Sequence, residues 1–114
     1  MSFIIREGQK EDMKEVLQLI KELALFEKLP KEVEITEEDL IHDGFSDQQK
    51  FKTYVAEEDG IIIGTALFYE RYSTWKGNAL HLEDLIVNKE MRGSGMGTAL
   101  LDRVVEYGAE KGFK

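Results

Sequence analysis

The 114-residue chain has no cysteine. That excludes a disulfide framework and a thiol nucleophile. Proline occurs once, at Pro30, where the first helical pattern fades. Positive charge is also scarce: 15 Lys and Arg stand against 23 Asp and Glu, a net charge of -8. A nucleic acid is therefore excluded as the main partner, because a phosphate backbone needs a basic surface. The balance suits cationic small molecules instead. No apolar run approaches the roughly 20 residues of a membrane span. Residues 1–8 carry neither a long apolar run nor a cleavage signature, so no signal peptide is read there. A cytoplasmic protein without membrane contact is expected. With 42% hydrophobic and 33% charged residues, the chain is globular and long enough for one domain around one modest core.

What is present is a change of period along the chain. Phe3, Ile4, Ile5 and Arg6 read as a short strand. Met13, Val16, Leu17, Leu19, Ile20, Leu23, Ala24 and Phe26 recur at helical spacing, an amphipathic helix of about four turns. Thr36 followed by Glu37, Glu38 and Asp39 is a helix start, and Gly44 a natural stop, giving a short helix over 36–43. Residues 52–57 and 61–72 read as strands joined by an Asp59-Gly60 hairpin turn. Gly64 inside the second predicts a bulge or a close backbone approach. The apolar run of 79–87 predicts a strand in a central position. Residues 94–111 read as a helix with Met96, Leu100, Leu101, Val104, Val105 and Ala109 inward, stopped by Gly112.

The densest signal is 81–97, HLEDLIVNKEMRGSGMG. It reads as strand, short loop, glycine-rich turn and helix. That order sets backbone N–H groups at a helix N-terminus, where a phosphate or pyrophosphate binds. Gly93, Gly95 and Gly97 remove the Cβ atoms that would keep an anion away. The segment lacks the Gly-Lys-Ser/Thr of a P-loop, and its Gly-x-Gly-x-Gly spacing differs from the Gly-x-Gly-x-x-Gly of dinucleotide folds. A tight turn without ligand is the alternative. A crossover helix normally feeds a parallel strand. Here the sequence stops at Lys114, so we expect a fragment, or an edge covered by another chain or peptide.

Arg92-x-x-Gly95-x-Gly97 after an apolar strand resembles the acetyl-CoA loop of the GNAT N-acetyltransferases. Further segments are similar to the diamine acetyltransferase branch, which includes the spermidine/spermine and thialysine enzymes. These are Ile20-Lys21-Glu22-Leu23-Ala24, Phe26-Glu27-Lys28-Leu29, residues 35–45, Tyr72-Ser73-Thr74-Trp75-Lys76-Gly77 and Leu82-Glu83-Asp84. Phe26-Glu27-Lys28 and residues 73–77 look closer to the thialysine type. The resemblance implies a GNAT-like α/β fold: a mixed, mainly antiparallel sheet with flanking helices, ordered β-α-α-β-β-β-α. It also implies a single, incomplete domain over 1–114. The family's later strand and helix, and a tyrosine acting as general acid, fall outside the sequence.

The implied activity is attack of a small-molecule primary amine on the thioester of acetyl-CoA, without a metal. Alternatives are acetylation of a protein N-terminus or lysine, and a CoA-binding module without turnover. Arg92, Gly93, Ser94, Gly95, Met96, Gly97 and Thr98 would hold the pyrophosphate. Leu85, Ile86 and Val87 would pair their backbone with the pantetheine arm, as an added strand does. An N–H near Leu85 would steady the oxyanion. Glu83 is the expected amine binder and base, with Asp84 in support. Neighbours on a regular strand point to opposite faces, so only one of the two is expected on a given side. Glu27 matches an amine-contacting position, and Trp75 is expected to wall the site or pack at a dimer contact. Ser73 stands where the polyamine enzymes resemble an acidic site, which favours a smaller amine. His42, His81, Met13, Met91 and Met96 read as structural. A homodimer is implied.

Overall fold

A computed structural model describes residues 3–27, 33–88 and 94–113. Strand β1 is Ile4–Glu7; a 3-10 turn at Lys10–Asp12 leads into helix α1, Met13–Phe26; helix α2 is Glu37–Phe45. Strands β2 (Lys52–Glu58), β3 (Ile61–Ser73) and β4 (Gly77–Val87) follow, then helix α3, Met96–Lys111. The strands form one antiparallel sheet in the order β1-β2-β3-β4. The β-α-α-β-β-β-α order is as expected. The central position expected for the last strand is not found: β4 is the outer strand among the described residues.

Each face of the sheet carries a helix. Met13, Val16, Leu17 and Leu19 of α1 pack with Leu40 of α2 onto Val55, Ile62 and Ile86. Met96, Leu100 and Val104 of α3 pack onto Tyr54, Ala56, Ala66 and Phe68 on the opposite face. Strand alternation divides these sets, with Val55 on one side and Tyr54 and Ala56 on the other. Aromatic contacts fill the α3 side: Tyr54 stacks on Phe68 at 5.6 Å, and Phe68 meets Tyr107 edge-on at 5.3 Å.

Local chemistry fixes the ends. Thr36 and Asp39 exchange bonds at the start of α2, 3.1 and 2.9 Å. Asp59 and Gly60 both take positive φ, as a tight hairpin turn requires. Gly44 does not stop α2; the helix continues to Phe45. A Cβ on Gly44 would lie 2.6 Å from the Phe51 ring, so the glycine makes room for that ring. On α3 the buried stripe is Met96, Leu100, Val104 and Gly108. Leu101, Val105 and Ala109, expected inward, are exposed because they lie on the flank of that stripe.

An ion network ties the start of α1 to the sheet. Arg6 of β1 donates to both oxygens of Asp12 at 2.8 and 3.0 Å, and to Glu57 Oε1 of β2 at 2.9 Å. The guanidinium holds the Asp12 carboxyl below the usual carboxylate range; burial opposes this, and the Gln9 N–H at 2.7 Å assists. A depressed folded-state pKa contributes stability above the ordinary aspartate range, lost as pH falls through the depressed value. Asp12→Ala should therefore lower unfolding free energy at pH 7 by about 2 kcal/mol, below the roughly 3–5 kcal/mol of a fully buried pair because Arg6 keeps Glu57 and some water. Denaturant titrations should find the gap narrowing in acid; a constant gap would contradict the ion-pair account.

Candidate active site

The site is built at the end of β4 by an irregularity in its ladder. Ala66 pairs with Leu85 and Leu67 with Asp84, but Phe68 pairs with Leu82. Glu83 is therefore the extra residue of a β-bulge. Such an insertion bends the strand and re-aims its side chains. Leu82 packs on the α3 side. His81 and Asp84, opposite Tyr69 and Leu67, belong to the other face by register. The Glu83 carboxylate turns to that same face, with Oε1 3.5 Å from His81 Nε2. The expectation that Glu83 and Asp84 face opposite sides fails because alternation does not hold across a bulge.

Three acids converge on this side. Burial, reinforced by the charges of Glu83 and Glu27, pushes the Asp84 carboxyl above the usual aspartate range. Glu27 is the C-cap of α1, its N–H bonded to Leu23 O at 3.0 Å. It reaches Asp84 because α1 lies across this face of the sheet. Glu27, Glu83 and Asp84 thus come from distant points of the chain to one place. Trp75 does not join them. It sits at the β3–β4 turn, 93% exposed, and the Ser73 hydroxyl accepts from the Trp75 and Lys76 N–H groups at 3.2 Å each. The six residues 77–82 of β4 separate the turn from Glu83, about 20 Å at 3.3 Å per residue. Within one chain, Trp75 neither walls the acid cluster nor packs in the core.

Along β4 in the other direction lies the N-terminus of α3. Gly95 is its N-cap, at φ 88°. No side chain caps the helix and no acid occupies its first turn. The N–H groups of Met96, Gly97 and Thr98 precede the first intrahelical bond, Ala99 N–H to Gly95 O at 3.0 Å, so they form a positive end suited to an anion. Met96 is fully buried and anchors this end. A Cβ on Gly64 would lie 3.1 Å from Met96 Sδ, and one on Gly97 would lie 3.7 Å from Val87. Gly64 adjoins a second bulge at Ile63, whose carbonyl accepts the Asn88 N–H at 2.8 Å. The bulge and close approach expected at Gly64 are both found. Ser94 and Gly95 are exposed; Arg92 and Gly93 lie outside the described residues, as does Met91.

Between the two ends run Leu85, Ile86 and Val87. Ile86 is buried under α1, Val87 packs on the α3 side, and Leu85 is 39% exposed. The outer edge of this stretch has no neighbouring strand among the described residues. Sequence reasoning missed two features. The bulge left no trace, since no glycine marks it. His81, read as structural, stands at the acid cluster. Among the described residues no group of His, Cys, Asp and Glu is arranged to hold a metal, and no helix is long and apolar enough to cross a membrane.

Residues 13–114 match the acetyltransferase (GNAT) family model. The chain is 40% identical to the thialysine N-epsilon-acetyltransferase of Bos taurus over 98% of its own length and 71% of the relative's. It is 37% identical to the human spermidine/spermine N(1)-acetyltransferase-like protein 1, over 90% of this chain and 16% of that one. Among solved structures, an aminoglycoside acetyltransferase from a soil metagenomic sample, in complex with sisomicin, superposes with a TM-score of 0.79 at 20% identity, covering 98% of this chain and 73% of that one. That likeness concerns the fold.

The raised Asp84 carboxyl has a consequence for stability. A carboxylate whose folded pKa lies above its unfolded value favours the fold while protonated, and that advantage is lost as pH rises through the folded value. Above the folded value Asp84 therefore opposes folding of the ligand-free protein. Asp84→Asn should raise Tm at pH 7, with the gain shrinking as pH falls below the ordinary aspartate range. Calorimetry across pH tests this; a variant less stable at pH 7 would contradict it.

Proposed function

The chain belongs to the GNAT family of acetyltransferases, which use acetyl-CoA as cosubstrate, and we propose that it acetylates a primary amine of a small cationic molecule of the thialysine, diamine or polyamine kind. The spacing along β4 carries the reading. The acid cluster and the N-terminus of α3 are separated by the four residue steps from Glu83 to Val87, roughly 13 Å of strand. A pyrophosphate on the N–H groups of Ser94, Gly95, Met96, Gly97 and Thr98, joined by Arg92 and Gly93, leaves the pantetheine arm to run along Leu85, Ile86 and Val87. The open edge of β4 offers main-chain partners for its amides. The thioester then arrives beside the bulge, among the carboxylates.

The amine enters as an ammonium, with a pKa near the lysine value of about 10.4. Glu27, Glu83 and Asp84 supply the charge that attracts it. Glu83 takes one proton, directly or through a water. The nitrogen lone pair attacks the acetyl carbonyl, a backbone N–H near Leu85 steadies the oxyanion, and the C–S bond breaks as the second proton of the attacking nitrogen passes to the leaving sulfur, giving the amide and CoA thiol. Ser73, committed to the hairpin turn, adds no charge for a longer polyamine, so thialysine or a short diamine is the favoured acceptor. The acceptor also follows the name of the bovine relative.

The chain acts in this reading within a single acetyltransferase domain, in the cytoplasm, as a homodimer. The open edge of β4 gives a physical reason for association, and Trp75 at the exposed hairpin tip is available to a second copy.

Incubation with acetyl-CoA and a panel of amines should release CoA with the small diamines and thialysine faster than with peptides. Glu83→Gln should lower kcat about 10²-fold, the low end for a lost acid–base group. No CoA release with any free amine, or an unchanged rate in Glu83→Gln, would overturn the reading.

A further inference from the structure

His81 lies outside the proposed chemistry, yet its position is not that of a packing residue. It is the residue two before the bulge on β4, and its Nε2 is 3.5 Å from Glu83 Oε1. The ring is held from below by Tyr69, its cross-strand partner, with centroids 5.1 Å apart and planes tilted by 46°. The His81 side chain is 42% exposed and that of Glu83 is 54% exposed, so both touch water as well as each other. A regular strand would send residues 81 and 83 to one face about two strand residues apart. The bulge alters that spacing and lets the carboxylate lean back onto the imidazole.

We infer that His81 is the positioning residue of Glu83: it holds the carboxylate over the bulge and passes to solvent the proton that Glu83 removes from the amine. The inference rests on the reading of Glu83 given above. The proton balance is closed within the chain. An ammonium N–H bond breaks and its electron pair stays on nitrogen. The proton goes to Glu83 Oε1 and from there to the neutral imidazole at Nε2. The imidazolium then loses a proton to bulk water, and both groups return to their starting state. Imidazole suits this task because its charge changes between pH 5 and 8. The charged and titratable groups on its side of the sheet are Glu83 and Asp84 of β4, Tyr69 and Arg71 of β3, placed there by register, and Glu27 at the end of α1.

His81→Gln separates transfer from packing, because the amide keeps a polar side chain of similar reach beside Glu83 but cannot carry a proton. With the best amine from the panel, kcat at pH 7 should fall about tenfold and recover as pH rises toward the amine's own pKa. The KM for acetyl-CoA should stay within about twofold. Added imidazole should restore part of kcat in proportion to its concentration. A reduction by one factor at every pH, without rescue by imidazole, would mean a structural role and overturn the inference. An unchanged profile would do the same. Should His81→Gln fail to fold, the wild-type ring decides: its NMR resonances at fixed pH should move in Glu83→Gln, and unmoved resonances would overturn the inference. A wild-type protein inactive on every amine would sink the function itself, an outcome distinct from an active wild type with an indifferent His81.

Discussion

One residue too many in β4 governs the site. The ladder between β3 and β4 is regular up to Phe68 and Leu82, and regular again from Leu67 and Asp84, so the whole mismatch falls on Glu83. Had the strand been uniform, Glu83 and Asp84 would have faced opposite sides of the sheet. The insertion shifts the strand's phase by one. Leu80 and Leu82 before it and Val87 after it can then all reach the α3 side, while Asp84 and Ile86 turn under α1. The same defect that repairs the packing of two helices on opposite faces exposes a carboxylate between them. Fold and candidate chemistry share a single cause.

The charge pattern follows the same division. Overall the chain is acidic, yet the first turn of α3 has no acid and no side-chain cap. Acids would ordinarily be favoured at a helix N-terminus. α2 follows that habit, with Glu37, Glu38 and Asp39 in its first turn and Thr36 capping it. α3 departs from it at the one place where its positive end adjoins β4. Some 13 Å away along the strand, the acids gather instead. An anionic carrier and a cationic acceptor would thus be drawn to opposite ends of one short strand, and the reacting groups meet where the two approaches cross.

Much of this was legible in the sequence, and the exceptions have definite causes. Periodicity located the helices and strands: α1 turns its patterned residues toward the core or its margin except Phe26, which is exposed, and β2 buries Tyr54, Val55 and Ala56. The Asp59-Gly60 turn and Gly112 stop were readable because positive φ selects a narrow set of residues. Gly44 misled for the same reason: the glycine answers a tertiary demand, the Phe51 ring, which no local pattern reveals. The outer position of β4 was hidden because a run of apolar residues covered by a helix on each face looks the same at the edge as at the centre. The bulge was hidden because Glu83 has no conformational signature. Glu27, Glu83 and Asp84 were legible as separate candidates through resemblance; their meeting depended on α1 crossing the sheet. His81 was passed over because an isolated histidine on an apolar strand is usually packing, and only the bulge brings Glu83 back to it.

The acid cluster raises a conflict whose resolution limits the mechanism. Carboxylates that attract an ammonium also hold its proton, so each acid that improves binding makes the nucleophile harder to release. Three ionised acids with no outlet would bind the amine in its unreactive form. Burial of Asp84 works against this, since a desolvated carboxyl in the company of Glu83 and Glu27 is more basic than a free one. Part of the negative potential is thereby turned into proton affinity close to the nitrogen, where the transfer must end. The remaining need is to remove that proton before the thioester is attacked. Glu83, more exposed than Asp84 and in reach of an imidazole, is the member of the cluster from which a path to water is shortest. In the proposed reaction, binding and deprotonation are then divided between neighbours: Asp84 and Glu27 would set the field, and Glu83 would move the charge. That division requires the two adjacent acids to reach one face of the sheet, which only an inserted residue allows.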